Sequence, residues 1–173
     1  NMRTKEKKGT LLWVLDKTKT APGARMLRHW IEHPLISSRL IGNRQRAIEE
    51  LYGNFMLREN ITELLSGMLD LERLMTKIVY GSANGRELRS LASALQNLPR
   101  ISELVSTCKS SYLKEIYKNI DLLQDIYTLI DSAICEEPPF SVKEGGIIKK
   151  GYNAELDVLL GDMNNSKGVL AEI

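Results

Sequence analysis

A chain of 173 residues with 43% hydrophobic and 27% charged residues has the composition of a folded domain, which excludes intrinsic disorder. The formal net charge of +2 is too small to indicate nucleic-acid binding by itself. No stretch approaches the roughly 18 consecutive apolar residues that span a membrane, and the length suits one well-buried domain rather than two.

Five prolines divide a pattern that is helical almost throughout. After a basic leader comes a short apolar turn made of Leu11, Leu12, Val14 and Leu15. Thr20 is predicted to cap the next helix, with Pro22 tolerated in its first turn and Pro34 ending it. The predicted buried stripe of that helix consists of Met26, Leu27, Trp30 and Ile31. A further helix is predicted from Ser38 towards Tyr52.

The middle of the chain has the clearest helical periodicity. Asp70 is predicted to cap one helix, and Asn84 with Glu87 resembles a capping box that starts the next, which Pro99 breaks. The apolar positions of three successive helices recur at intervals of three and four, as Leu71, Leu74, Met75, Ile78 and Val79, then Leu88, Leu91, Ala92 and Leu95, then Ile101, Leu104, Val105 and Cys108. Two helices with acidic faces are predicted around Leu113, Ile116 and Tyr117 and around Leu122, Leu123, Ile126 and Ile130.

The pattern changes after Pro138-Pro139. Residues 140–142 and 147–148 flank Glu144-Gly145-Gly146, whose glycines can adopt positive φ, and this arrangement predicts a short β-hairpin near 140–148. The predicted fold class is therefore all-α, an irregular multi-helix bundle with one short hairpin and a long C-terminal helix.

The terminal helix is predicted to start after Gly151 with Asn153 as its cap. Its apolar residues alternate by three and four, which is a heptad seam rather than a broad core face. The seam consists of Leu156, Leu159, Met163, Leu170 and Ile173. Gly161 and Gly168 weaken the helix by about 1 kcal/mol each relative to alanine, so it is predicted to need a partner from outside this chain.

One motif has a catalytic appearance. Residues 29–33 fit the inverted zincin pattern H-x-x-E-H, in which His29 and His33 share a helix face and Glu32 would activate water. Pro34 follows at once, and a third ligand would have to be a carboxylate such as Glu103, so zinc hydrolysis is only a remote alternative. A histidine in the last turn also interacts favourably with the negative helix end.

Other enzyme signatures are absent from the sequence. It contains no P-loop, no G-x-S-x-G motif and no dinucleotide fingerprint, so we assign no catalytic, cofactor-binding or metal-binding residue and predict that the chain is not an enzyme. Cys108 and Cys135 are predicted to be reduced, buried thiols of a cytoplasmic protein. The residues alone predict either a helical connector or a helical protein–protein interaction scaffold. Because the chain does not begin with Met and its last residues lie in an uncapped helical pattern, we expect a fragment of a longer protein.

Three segments resemble the MutS family of DNA mismatch-repair proteins. Residues 11–30 resemble the family pattern L-x-x-x-L-D-x-T-x-T-x-x-G-x-R-x-L-x-x-W. Residues 70–73, D-L-E-R, resemble the start of a family helix, with Arg86 and Leu88 following at the expected distance. Residues 144–157 resemble D-G-G-x-I-x-x-G-Y-N-x-E-L-D. The three segments occur in order and cover essentially the whole chain.

The resemblance implies the first part of the core, or lever, domain of such a protein. Residues 1–139 would form the helical core, and residues 140–173 the hairpin and the start of the lever helix that leads to the DNA clamp. The implied function is to couple the ATPase domain to the binding of mismatched DNA by moving long helices as units.

The resemblance also implies which components lie elsewhere. ATP and Mg²⁺ are expected to bind the parent protein outside this chain, which has no cofactor of its own. The expected partners are the clamp and ATPase domains of the parent chain, and the parent is expected to bind mismatched duplex DNA and to dimerise. The fragment alone is expected to bind DNA weakly or not at all, and no membrane is implied.

Overall fold

The structure is a computed structural model that describes residues 8–171, with side chains described through residue 163. This part of the chain contains ten α-helices and no β-strand longer than an isolated bridge. The helices are α1 Leu11–Leu15, α2 Ala21–Glu32, α3 Ser38–Gly53, α4 Phe55–Ser66, α5 Leu71–Val79, α6 Gly85–Gln96, α7 Leu98–Ser106, α8 Ser111–Asn119, α9 Gln124–Ala133 and α10 Ala154–Ala171. None of them is long and apolar enough to cross a membrane.

Three predicted helix starts are confirmed. The Thr20 hydroxyl accepts a hydrogen bond from the third residue of α2 at 3.1 Å, and Asp70 accepts one from the third residue of α5 at 3.4 Å. Asn84 and Glu87 form a complete capping box, in which each side chain accepts from the other residue's backbone amide at 2.9 and 3.0 Å. These caps satisfy amide groups that have no partner inside the helix.

Helix α4 was not predicted, and Pro99, which was predicted to break the preceding helix, has a different position relative to the helices. α4 begins at Phe55 because the Asn54 side chain accepts a hydrogen bond from the Leu57 amide at 3.1 Å. Pro99 lies in the first turn of α7 rather than at the end of α6, where its missing amide hydrogen costs no helical bond.

The core consists of two clusters of buried side chains, and we call the helices around each cluster a lobe. The first lobe contains α3, α4, α7 and α8. Its buried residues are Ala47, Leu57, Val105, Cys108 and Leu113. The second lobe contains α5, α6 and α9. Its buried residues are Leu74, Leu91, Ala92, Leu95, Ile130, Ala133 and Ile134. Cys108 and Cys135 are both free thiols, and only the first of the two is fully buried.

The predicted buried stripe of α2 is wrong. No residue of α1 or α2 is buried, and Met26 on α2 is 56% exposed. Leu27, Trp30 and Ile31 are half-buried. The two helices pack against each other as a hairpin on the outside of the lobes, so their apolar spacing marks a face that the described residues cover only in part.

The predicted β-hairpin near 140–148 is also wrong. Ser141 and Glu144 form a capping box that closes a short 3₁₀ turn at Val142–Glu144, so residues 140–142 do not pair with residues 147–148. Ile148 instead forms an isolated antiparallel bridge with Ile134. The glycine pair does adopt positive φ, at +73° and +74°, as the sequence predicted.

Candidate functional site: two junctions and the terminal helix

The first two family-like motifs meet in an ion-paired junction. Arg25 on α2 donates to both carboxylate oxygens of Asp70, at 2.8 and 2.7 Å, and also donates to Glu72. The side chain of Asp70 is only 17% exposed, whereas that of Arg25 is 42% exposed. This bidentate geometry is the strongest form of arginine–carboxylate pairing. It fixes α2 on the N-terminus of α5, 45 residues away in sequence.

The same junction perturbs the titration of its groups. The hydrogen bond from Arg25 and, to a smaller extent, that from the Arg73 amide together lower the pKa of Asp70 from 3.8 to about 2, against the opposing effect of burial. The Asp70 carboxylate raises the pKa of Arg25 above its usual range. Asp70 is therefore ionised at neutral pH, and it serves at once as helix cap and as ion-pair partner.

We expect the stability that depends on Asp70 to be lost in acid. Because the folded pKa lies below the unfolded value, this contribution is fully present above about pH 4 and disappears as the pH falls through about 2. Asp70→Asn keeps an acceptor for the helix cap but removes the charge. Thermal unfolding of both proteins from pH 7 to pH 2 should show a melting-temperature difference that is constant at neutral pH and closes at the acidic end. A difference that does not depend on pH would contradict this assignment.

The turn that leads into α2 is built by the same motif. Asp16 accepts hydrogen bonds from the Thr18 hydroxyl at 2.6 Å and from the Thr18 amide at 3.2 Å. This side-chain turn connects α1 to the Thr20 cap and so directs α2 towards α5. The D-x-T-x-T spacing thus encodes a connection between two helices, and Arg25 lies five residues after it.

The second junction fastens the third family-like segment onto the second lobe. The amide of Cys135 donates to the Ile147 carbonyl at 2.9 Å, and the amide of Lys149 donates to the Ala133 carbonyl at 2.8 Å. The ammonium group of Lys149 also donates to the Asp131 carbonyl at 2.8 Å. Ile147 and Ile148 pack against the buried cluster of the second lobe. The segment that precedes α10 is therefore held by backbone pairing and by apolar burial together.

Two arginines of α6 complete this second junction. Arg89 pairs with Asp131 on α9 at 2.7 Å, and this bond is the main reason that the pKa of Asp131 lies below its ordinary value. Arg86 donates to the Pro138 carbonyl at 2.9 Å. Gly85 lies so close to Pro138 that an added Cβ would be 2.9 Å from the Pro138 Cβ. Polar contacts thus join α6 and α9 to residues 134–149, and they surround the tight apolar contact between Gly85 and Pro138.

The start of α10 is closed by local bonds. Gly151 has φ +89°, and its amide donates to the Asp157 carboxylate at 2.8 Å. The Asn153 side chain accepts from the Leu156 amide at 2.9 Å, which confirms the predicted cap. The two bonds set the direction in which α10 leaves the second lobe.

The predicted seam lies on α10 as far as the side chains are described. Leu156 is half-buried, whereas Leu159 is 58% and Met163 is 53% exposed. Val158, which the heptad pattern leaves out, is also exposed. The side chain of Leu170 and the whole of Ile173 lie outside the described residues. The described part of the seam is therefore an apolar face that helices α1–α9 leave largely open.

The zincin-like motif ends α2 without assembling a metal centre. The rings of His29 and His33 stack with centroids 4.5 Å apart, and Glu32 pairs with Arg28 at 2.9 Å. Within the described part of the chain, no group of three His, Cys, Asp or Glu side chains is placed to hold a metal ion, so Glu103 is not brought to this pair. The histidines lie at the negative end of α2, where such residues serve as helix terminators.

Some junction residues escaped the sequence analysis. Arg89 and Asp131 belong to no recognised motif, Lys149 occupies an unspecified position of the third family-like segment, and their pairing connects elements 18 to 42 residues apart. Glu50 of α3 also accepts from the amides of Lys109 and Ser110, at 2.5 and 2.8 Å, and so holds the turn between α7 and α8. A charged residue inside an amphipathic helix was the only available signal, and it does not identify its partner.

Comparison with known proteins shows which family the chain is similar to. A family model described as MutS domain III matches residues 1–170. The chain is 53% identical over 172 residues to the DNA mismatch repair protein MutS of Lachnoclostridium phytofermentans, covering 99% of this chain and 18% of that protein. It is 48% identical over 158 residues to MutS of Clostridium novyi, covering 91% and 17%, and 45% identical over 172 residues to MutS of Acetivibrio thermocellus, covering 99% and 20%. The chain therefore spans at most about a fifth of these relatives.

Proposed function

This chain belongs to the MutS domain III family, and from that premise we propose that it is a structural and allosteric connector of a MutS-type DNA mismatch-repair protein. It would couple the ATPase domain to the binding of mismatched DNA. The observation that carries the proposal is the rooting of α10. The segment before it is fixed to α6 and α9 by the Ile134–Ile148 bridge, the Lys149 contacts and apolar burial.

A rooted helix is suited to transmitting displacement. α10 has 18 residues and so extends about 27 Å at about 1.5 Å per residue. Because its base is held by several independent contacts, a force on its far end would move the second lobe with it. This is the linkage between distant sites through rigid elements that allosteric coupling requires.

The open face of α10 supports a partner outside this chain. Leu159 and Met163 on the seam expose apolar surface that a helix on its own keeps in water at a cost, and Val158 exposes more on an adjacent side of the helix. We propose that the remainder of the parent protein, its clamp and ATPase domains, covers this face. In this view residues 1–139 are the helical core, and residues 140–173 are the start of the lever that leads to the DNA clamp.

The chemistry belongs to other parts of the parent in this proposal. ATP and Mg²⁺ would bind in the ATPase domain, mismatched duplex DNA would be held by elements beyond this chain, and the parent would act as a dimer in the cytoplasm. The relatives carry the name DNA mismatch repair protein, and this chain corresponds to at most about a fifth of their length.

Introducing charged side chains into the seam of α10 tests the proposed coupling between ATP and DNA binding. In the full-length parent, Asp substitutions at Leu156, Leu159 and Leu170 should reduce the effect of ATP on DNA affinity about fivefold or more, because allosteric coupling is typically a 5- to 150-fold effect. Basal ATP hydrolysis should remain close to wild type. The measurements are DNA dissociation constants with and without ATP, and steady-state ATP turnover.

The control is Ala154→Asp, an exposed position in the first turn of α10 where the same charge is favourable. It should leave nucleotide-dependent DNA release unchanged. If the three seam variants released DNA normally in response to ATP, the proposal that α10 acts as a lever would be wrong.

A further inference from the structure

The two lobes touch each other mainly where α6 continues into α7. α6 ends at Gln96, α7 begins at Leu98, and Asn97 between them keeps a helical backbone, with φ −81° and ψ −18°. Leu98 packs against the buried cluster of the second lobe although it belongs to a helix of the first. Within the described residues, no other pair of helices from different lobes packs as extensively. We call this connection the joint.

A cleft lies beside the joint. It has a volume of about 270 Å³ and lies between the end of α4 and the joint. Its lining residues are Asn60, Glu63, Leu64, Gly67, Asn97 and Arg100. All six belong to α4, to the turn after it, to the joint or to α7, and five of them are polar, charged or glycine, so water can fill the space between α4 and α7 beside the joint. Because the two lobes have separate buried clusters and their helices pack against each other most extensively at the joint, the lobes can change their relative orientation there without disturbing either core.

Helix α2 contacts both lobes, one at each of two positions. Arg25 is paired with Asp70 and Glu72 of the second lobe. Five residues later, the ring of Trp30 lies under the guanidinium group of Arg44 on α3, in the first lobe, at 3.6 Å from the ring centroid. A helix advances about 7.5 Å over five residues, so both contacts are fixed relative to each other by a rigid element.

We propose that α2 is a clasp between the lobes: with both contacts made, it locks their orientation, and with either contact broken, the lobes move about the joint. The clasp is polar and partly exposed, and α2 has no buried residue to hold it in place. Its contacts can therefore break without unfolding either hydrophobic core. The use of such a motion in mismatch repair rests on the proposed function, whereas the motion itself is a property of this chain.

Residual dipolar couplings of backbone amides test the clasp directly. Each lobe in the full 173-residue chain is fitted separately, which gives the strength of its alignment. Rigidly connected lobes share one alignment tensor, whereas independent motion reduces the tensor of one relative to the other. In the wild-type chain we expect a magnitude ratio of about 1, and in Arg25→Ala and in Arg44→Ala a ratio of about 0.7 or less.

A matched variant separates the clasp from general effects of charge removal. Arg28→Ala lies on the same helix, but among the described residues Arg28 pairs with Glu32 of α2 itself, so this substitution should leave the ratio at the wild-type value. Couplings within each lobe must still fit the structure, which shows that both cores remain folded. Asp70→Asn weakens the Arg25 contact from the other side, since it removes the charge and one acceptor but leaves the Glu72 pair and the cap of α5, so it should lower the ratio part of the way towards that of Arg25→Ala.

Salt provides a second measurement. Raising NaCl from about 0.1 M to about 1 M shortens the screening length from about 10 Å to about 3 Å. The wild-type ratio should then fall towards that of Arg25→Ala, which itself should change little. A common tensor in all clasp variants, or separate tensors already present in the wild-type chain at low salt, would overturn the clasp. Neither result bears on seam coupling in the full-length parent, so the two proposals fail separately.

Discussion

Leu95→Ala is expected to lower the free energy of unfolding by about 3 kcal/mol. Leu95 is 2% exposed and lies in the buried cluster of the second lobe, between α6 and the helices packed on it. Truncation removes the transfer free energy of its buried methyl groups and leaves a cavity whose rigid walls cannot collapse. Urea unfolding followed by circular dichroism measures the loss, and the melting temperature should fall by about 10 °C.

The matched control is Leu129→Ala on α9, where the same side chain is 54% exposed. That substitution should change stability by no more than about 0.5 kcal/mol. Equal losses at the two positions would show that the cluster around Leu95 does not carry the stability assigned to it.

Gly85→Ala is expected to destabilise the chain by about 2 kcal/mol through overpacking. A Cβ at this position would be 2.9 Å from the Pro138 Cβ and 3.0 Å from the Ile147 Cγ2, closer than carbon atoms pack. The cost falls on the second junction, because Pro138 and Ile147 belong to the segment that roots α10. Hydrogen exchange of the Cys135 and Lys149 amides, which pair with this segment, should accelerate together with the loss of stability.

Gly42→Ala is the same chemical change as Gly85→Ala, but it is expected to increase the free energy of unfolding rather than decrease it. Gly42 lies inside α3, and the nearest heavy atom to an added Cβ is the end of the flexible Arg46 side chain, at 3.5 Å. Alanine should stabilise the helix there by about 0.5 to 1 kcal/mol. If both substitutions stabilised the chain, the close approach at Gly85 would not be real.

The sequence predicted those features that depend on a few neighbouring residues. Thr20, Asp70, Asn84 and Asn153 were recognised as helix caps because a cap needs only a side-chain oxygen and an amide two or three residues away. The same local logic applied to Asn54, yet α4 was not predicted, because only this one residue separates the end of α3 at Gly53 from the start of α4 at Phe55.

Features set by distant contacts could not be predicted in this way. The segment 140–148 has the composition of a hairpin, but Ile148 finds its bridge partner at Ile134, on the far side of Cys135 and the proline pair. α2 has an apolar stripe typical of a core helix, yet the described residues leave it outside both clusters. In each case periodicity identifies which face is apolar and not what covers it.

In the candidate site too, local features were predicted and contacts between distant residues were not. The family-like motifs were recognised separately, and nothing in their spacing indicated that Arg25 of one would bind Asp70 of another across 45 residues. Leu156, Leu159 and Met163 were predicted as a seam from the heptad pattern alone, and their role remains a prediction. Arg89 and Asp131 carry no local signal, since paired charges inside amphipathic helices look like solvated ones until the fold brings them together, and Lys149 in a connecting segment gives no sign of its partner either.

The two lobes are interleaved along the chain, and this order constrains how the protein is made. The first lobe consists of α3 and α4 together with α7 and α8, and α5 and α6 of the second lobe lie between these two pairs in the sequence. The first lobe is therefore complete only after α8 has been synthesised. The second lobe stays incomplete until α9 arrives. A chain emerging from the ribosome must therefore carry an unfinished second lobe while the first one folds, and no single cut divides the product into two intact halves.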